Sequence, residues 1–106
     1  MRETPKLTYI KELSGGDLEF ENRLLSVIDK EFPFEKETYY KNLKDKNYQK
    51  VAENVHKLKH KINILGLEKS YAIAVAYEND LKENNDELKN EFEDILKTIT
   101  TYLNQL

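Results

Sequence analysis

The sequence predicts an all-α protein that forms one domain, and three observations support this class. Apolar residues recur at steps of three and four along most of the chain, which is the spacing of one face of an α-helix. Only 3 glycines and 2 prolines are present, too few for the many turns of a sandwich or barrel. The length of 106 residues is that of one domain, so we expect residues 1–106 to form a single domain.

The first half of the chain predicts three helices. A short helix follows Pro5, and the next helix starts at Asp17 as its N-cap and runs to Phe32. Pro33 lacks a backbone N–H and is expected to end or kink this helix, so 35–44 is predicted as a separate, weaker helix. The helix after Asp17 has apolar residues on two sides: Phe20, Leu24 and Val27 on one side, Leu25, Ile28 and Phe32 on the other. Either one side is buried and the other is partly exposed for docking, or the helix is buried over one broad face.

The second half of the chain predicts three further helices. The first has Asn47 as its N-cap and Gly66 at its end, and its stripe consists of Tyr48, Val51, Ala52, Val55, Leu58, Ile62 and Leu65. The second stripe has one polar member, Glu78, among Tyr71, Ala74, Val75 and Leu81. The third helix is predicted to start at Asp86 as its N-cap, and its stripe consists of Leu88, Phe92, Ile95, Ile99, Tyr102 or Leu103, and Leu106.

Four substantial helices with short connections predict an antiparallel up-and-down four-helix bundle with a short additional N-terminal helix. The net charge of −3 argues against binding nucleic acid through bulk positive charge. Without cysteine the chain has no disulfide, no cysteine nucleophile and no cysteine metal site, and no apolar run approaches a membrane span. We therefore expect a cytoplasmic protein that does not bind membranes and is a monomer.

The helix that follows Asn47 carries a polar ridge beside its apolar stripe. His56, Lys59, His60 and Asn63 lie at spacings of three, four and seven. His56 follows a core residue directly, which places it about 100° around the helix, at the flank of the buried face. Residues 50–61 contain four lysines against one glutamate, a local positive charge in an acidic chain.

Four interpretations fit this ridge. The plainest is a solvated lysine face with two incidental histidines. A metal site would use His56 and His60 at i and i+4, but lysines flank both and no other histidine is present. General acid–base catalysis by His56 lacks a serine or cysteine partner. A nucleophilic imidazole that takes up a phosphoryl group needs an exposed, neutral ring and a nearby cation, and His56 with Lys59 satisfies both.

These residues resemble the signature of histidine-containing phosphotransfer (HPt) domains, in which a small residue precedes His-x-Leu-Lys-Gly and a short apolar helix ends in Leu-Gly. The similarity lies in Val55–His60 and Leu65–Leu67. It extends to the Leu13–Asp17 turn, to Phe32–Pro33 and to the connection from Asp45 to Tyr48. The resemblance therefore covers most of the chain.

The resemblance implies a phosphorelay carrier of two-component signal transduction. His56 would be the phosphoacceptor, Lys59 would neutralise the phosphoryl charge and Gly66 would close the helix. His60 stands where the family usually has glycine, and it either narrows access to His56 or makes a second contact to the phosphoryl group. The implied partners are receiver domains of response regulators and hybrid histidine kinases.

No kinase or other enzymatic activity of its own is expected from such a carrier. No cofactor is expected on this chain, because Mg²⁺ belongs to the partner receiver. The alternative is a helical adaptor that binds a partner without phosphoryl transfer.

Overall fold

The computed structural model describes residues 3–106, and within them it contains helices and no strands. The prediction of an all-α protein is confirmed. None of the helices in this part of the chain combines the length and apolar character needed to cross a membrane. The elements are α1 (Thr8–Ser14), α2 (Leu18–Lys44), α3 (Tyr48–Ile64), α4 (Glu68–Lys82) and α5 (Lys89–Asn104).

Two predicted N-caps and one predicted helix end are confirmed. The Asp17 carboxylate accepts the Phe20 N–H at 3.1 Å, and the Asn47 side chain accepts the Lys50 N–H at 3.3 Å. Gly66 follows α3 with φ +73°, a left-handed conformation that glycine adopts without steric cost. These local signals fix where α2 and α3 begin and where α3 ends.

The prediction that the helix ends at Pro33 and that 35–44 forms a separate helix is wrong, because α2 continues through Pro33 from Leu18 to Lys44. Proline in a helix interior costs about 3 kcal/mol or more, since it removes a hydrogen bond and its ring crowds the preceding turn. Phe32 and Tyr39, on either side of Pro33, are both fully buried. Burial of each large apolar side chain contributes roughly 1.5–3 kcal/mol, so packing on both sides offsets the cost of the proline.

The start of α5 also differs from the prediction. The helix begins at Lys89, and no side chain caps its first turn. The Asp86 carboxylate instead accepts the Tyr48 O–H at 3.0 Å, so it joins the start of α3 to the segment before α5. The Asp86 carboxylate, which the local sequence predicts as an N-cap, therefore binds a residue of another helix.

The core lies around α3, which packs against both α2 and α4, while α4 also contacts α5. The predicted stripe of α3 from Val51 to Leu65 is buried, with Tyr48 partly buried. On α2, Ile28 and Phe32 are buried, Leu24 and Leu25 are partly buried, and Phe20 and Val27 are exposed. This pattern fits one buried and one partly exposed side better than a single broad buried face. On α4, the structure buries Tyr77, which the predicted stripe had omitted. Leu103 is buried as predicted, but the inclusion of Leu106 in the last stripe is wrong, because this residue follows the end of α5 and is exposed.

Two tyrosines join α2 to α4 inside this core. The hydroxyls of Tyr39 and Tyr77 lie 2.8 Å apart, and the Tyr39 hydroxyl also donates to Glu93 Oε2 at 3.3 Å. Burial raises the pKa of Tyr39 far above its ordinary value, and burial also raises the pKa of Tyr77, to about 12. Both phenols therefore remain protonated in the folded protein under conditions that ionise an unfolded tyrosine.

The first described residues are tied to the turn between α3 and α4. Glu3 accepts the Lys69 N–H at 2.8 Å and the Ser70 N–H at 2.7 Å, where α4 has no cap of its own. The Lys6 N–H donates to the Leu65 carbonyl at 2.9 Å. The two bonds of Glu3 satisfy backbone N–H groups at the first turn of α4, which would otherwise need water or a side-chain cap.

Truncation of the α3 stripe should destabilise the protein strongly. Leu58→Ala and Ile62→Ala are each expected to lower the free energy of unfolding by about 2–5 kcal/mol, because both side chains are fully buried. Asn63→Ala, on the exposed face of the same helix, should change it by about 0.5 kcal/mol or less. Urea denaturation followed by circular dichroism measures all three, and equal stabilities would contradict the placement of the stripe.

The two buried tyrosines should make the protein sensitive to alkali. Since their pKa values are raised by folding, their contribution is present below the ordinary tyrosine pKa of about 10 and is lost as pH rises above it. The variant with Tyr39→Phe and Tyr77→Phe should therefore lose less stability between pH 9 and 11 than the unsubstituted protein. Tyr9→Phe, at an exposed site, is the control, and parallel pH profiles for all three proteins would refute the prediction.

Candidate functional site

His56 lies near the middle of α3, at the edge of the buried stripe. Its neighbours Val55 and Leu58 are fully buried, whereas the His56 side chain is 53% exposed. The ring therefore sits on a backbone that the core holds rigidly. The prediction of an exposed histidine on the flank of this helix is confirmed.

Glu78 of α4 is the side chain that meets this ring. His56 Nδ1 lies 3.2 Å from Glu78 Oε2 and 3.4 Å from Oε1. Only 8% of Glu78 is exposed, and it is one of the two acidic residues buried among residues 3–106. A charged carboxylate at such a site requires cationic or hydrogen-bonding partners.

Two lysines supply positive charge to Glu78 from different helices. Lys59 Nζ of α3 lies 2.9 Å from Oε1 and is 14% exposed, so this lysine is held inside the site. Lys82 Nζ, one turn along α4 from Glu78, lies 3.6 Å from Oε2 and is 56% exposed. Burial raises the pKa of Glu78, but the hydrogen bonds and charges of Lys59 and His56 outweigh it, so the pKa falls below its ordinary value.

The ionised carboxylate determines which nitrogen of His56 carries the proton. Because a carboxylate only accepts hydrogen bonds, Nδ1 must be the protonated ring nitrogen when it faces Glu78. In the neutral imidazole the lone pair then lies on Nε2. The site therefore presents a partly exposed imidazole whose unprotonated nitrogen is Nε2, the arrangement that a nitrogen nucleophile requires.

His60 lies directly beside this ring. The ring centroids of His56 and His60 are 5.0 Å apart and the rings meet edge to face at 88°. Both side chains are exposed. His60 therefore takes up space next to the imidazole without covering it, and its own ring is close enough to contact a group attached to His56.

An open groove adjoins the site on the side of α4. It has a volume of about 540 Å³ and is lined by Gln49, Ala52, Glu53, His56, Lys57, Glu78 and Lys82. Across the part of the chain that the structure describes, no three histidine or acidic side chains converge as metal ligands. The groove is thus an open recess beside one histidine, bordered by two lysines.

The sequence identified His56, Lys59 and His60, and the structure brings these three residues together. The contact between Glu78 and His56 was missed, although a glutamate inside an apolar stripe was a signal that it needs buried partners. Lys82 was missed too, and its signal was the spacing of four from Glu78 on one helix. Both residues come from α4, and their approach to α3 depends on how the two helices pack.

The ion pairs of Glu78 should make the free energy of unfolding depend on pH in the acidic range. Because folding lowers the pKa of Glu78, its contribution is present above the ordinary glutamate pKa and is lost as pH falls through the lowered value. The stability difference between the protein and Glu78→Gln should therefore shrink between pH 7 and pH 3. Glu53→Gln removes an equal charge from the exposed surface of α3 and measures the effect of net charge alone. A difference for Glu78→Gln that stays constant over this range would contradict the expectation.

Comparison with known proteins does not assign this chain to a family. No model of a protein family, no curated protein and no solved structure matches it. What His56 does must therefore be argued from the side chains that surround it.

Proposed function

We propose that this protein is a histidine-containing phosphotransfer domain, a phosphorelay carrier that accepts a phosphoryl group on His56 and passes it on. The observation that carries this proposal is the exposed ring of His56 with Nδ1 fixed by an ionised, buried Glu78 and with Lys59 one turn away. The four long helices α2–α5 would form an antiparallel up-and-down bundle, with α1 at one end. The proposal includes a monomeric, cytoplasmic protein.

The chemistry is a transfer between an aspartate of a receiver domain and an imidazole. The Nε2 lone pair attacks phosphorus, the bond between phosphorus and the aspartate oxygen breaks, and its electron pair leaves with the carboxylate. The ring gains positive charge as the N–P bond forms, and the Glu78 carboxylate at Nδ1 stabilises that charge. The second transfer is the reverse, to another receiver, and Mg²⁺ is supplied by the receivers.

The side chains around the ring support this chemistry more than the other interpretations of the histidine pair. A metal ion would meet Lys59 and Lys82 around the same carboxylate, and these lysines repel a cation. A phosphoryl group is instead attracted by them, because its oxygens accept charge-assisted hydrogen bonds. His60, at 5.0 Å between ring centroids, is the candidate for a further contact to the same oxygens.

One observation favours a second candidate function. Leu18, Phe20, Val27 and Phe34 of α2 are large apolar side chains that the structure leaves exposed. A helical adaptor that binds a partner protein would use such residues without phosphoryl chemistry. Replacement of His56 separates the two functions, since an adaptor retains its function with His56→Ala and a phosphocarrier does not.

Phosphotransfer can be tested with the receivers encoded in the source genome. Incubation with a phosphorylated receiver and Mg²⁺ should give the protein one acid-labile, alkali-stable phosphoryl group. His56→Gln should abolish labelling without changing the helical circular dichroism spectrum, because the side chain contributes no core packing. Lys59→Ala should slow transfer by about 10- to 100-fold without abolishing it, the effect of one charge-assisted hydrogen bond.

His60→Gly, which restores the usual family residue, tests whether the ring of His60 affects labelling of His56. It should leave labelling intact or increase it. Labelling that survived His56→Gln but disappeared with His60→Ala would make His60 the acceptor. If no receiver labelled the protein at all, the adaptor would be the better proposal.

A further inference from the structure

Glu78 is held by a lysine at each of its two oxygens. Lys59 Nζ contacts Oε1 at 2.9 Å, and Lys82 Nζ lies 3.6 Å from Oε2. The two lysines come from α3 and α4, and they differ in exposure, at 14% and 56%. One contact is therefore a tight, largely buried ion pair, and the other is longer than a hydrogen bond and faces solvent.

In the proposed function, two anionic groups compete for Lys59: the Glu78 carboxylate and the phosphoryl group. A phosphoryl group on His56 attracts the nearest cation, but Lys59 is already committed to Glu78. If Lys59 turned to the phosphoryl group without replacement, the buried carboxylate would lose its closest cation. Loss of one partner from a buried ion pair is strongly unfavourable, because the remaining charge is left without compensation.

Lys82 is placed to resolve this conflict. It lies one turn from Glu78 on the same helix, so it reaches the carboxylate without any movement of α3 relative to α4. Its Nζ needs to approach Oε2 by less than about 1 Å to reach hydrogen-bonding distance. It also borders the same groove as His56 and Glu78.

We propose that Lys82 is a positioning residue that takes over Glu78 when Lys59 turns from this carboxylate to the phosphoryl group on His56. The exchange keeps Glu78 ionised and paired, so the carboxylate continues to hold the proton on Nδ1 throughout the transfer. This inference rests on the proposed function and adds to it a charge exchange between two lysines around one carboxylate.

The exchange can be tested without knowledge of the partner receiver, with phosphoramidate as the phosphoryl donor. In this reaction Nε2 attacks phosphorus, the P–N bond of the reagent breaks, and its electron pair leaves with ammonia. Lys82→Gln should slow labelling of His56 by about 1.5- to 5-fold, the range of a partly exposed ion pair. Lys82→Arg, which keeps the charge and the reach, should restore the rate.

A double-mutant cycle separates an exchange from a general charge effect. In a Lys59→Gln background no exchange is needed, so Lys82→Gln should slow labelling by a smaller factor than in the unsubstituted protein. Lys57→Gln is the matched control, because Lys57 borders the same groove but has no contact with Glu78 among the described ion pairs. Lys57→Gln should change the labelling rate by the same factor in the unsubstituted protein and in the Lys59→Gln background.

The possible outcomes are distinguishable. Equal factors for Lys82→Gln in both backgrounds, or no slowing at all, would overturn the exchange while leaving His56 as the acceptor. Failure of Lys82→Arg to restore the rate would also overturn it. If phosphoramidate did not label His56 in the unsubstituted protein, the proposed function would fail and the exchange would fail with it.

Discussion

Burial of one face of α3 against α2 and α4 determines where the histidines and Lys59 of the site lie. The stripe from Val51 to Leu65 is packed against both helices, so α3 can neither rotate nor slide without exposing apolar surface. His56 is one residue beyond a stripe position and therefore emerges at the boundary with α4. The side chain of His56 is exposed, but the buried stripe fixes the backbone that orients it.

Within the site, α4 contributes charged side chains. Glu78 is buried beside an imidazole and two lysines, so the helix contact contains a small electrostatic cluster within a mostly apolar interface. A buried carboxylate of this kind is weak evidence for added stability, because desolvation opposes the attraction. Its clearer effect is to specify one tautomer of His56 and one location for Lys59.

The sequence predicted most of the local structure, because caps and stripes are local signals. Asp17, Asn47 and Gly66 act within a few residues, and each has the predicted role. Pro33 does not end its helix, because aromatic residues on both sides of it are buried. Asp86 does not act as an N-cap, because its carboxylate accepts the hydroxyl of Tyr48. The spacing of four signals a pair of Lys82 with Glu78, but the place of this pair beside His56 depends on which face of α4 meets α3.

The cap that Glu3 provides has a consequence for the order in which the protein folds. The carboxylate and the backbone groups it binds are separated by 66 and 67 residues, so this contact forms only after a long loop has closed. The pairing of α3 with α4 joins neighbouring segments and can form earlier, since short loops close at lower entropic cost. The first turn of α4 would then receive its cap late, from a residue distant in sequence, after the segment that carries Glu78 has already met His56.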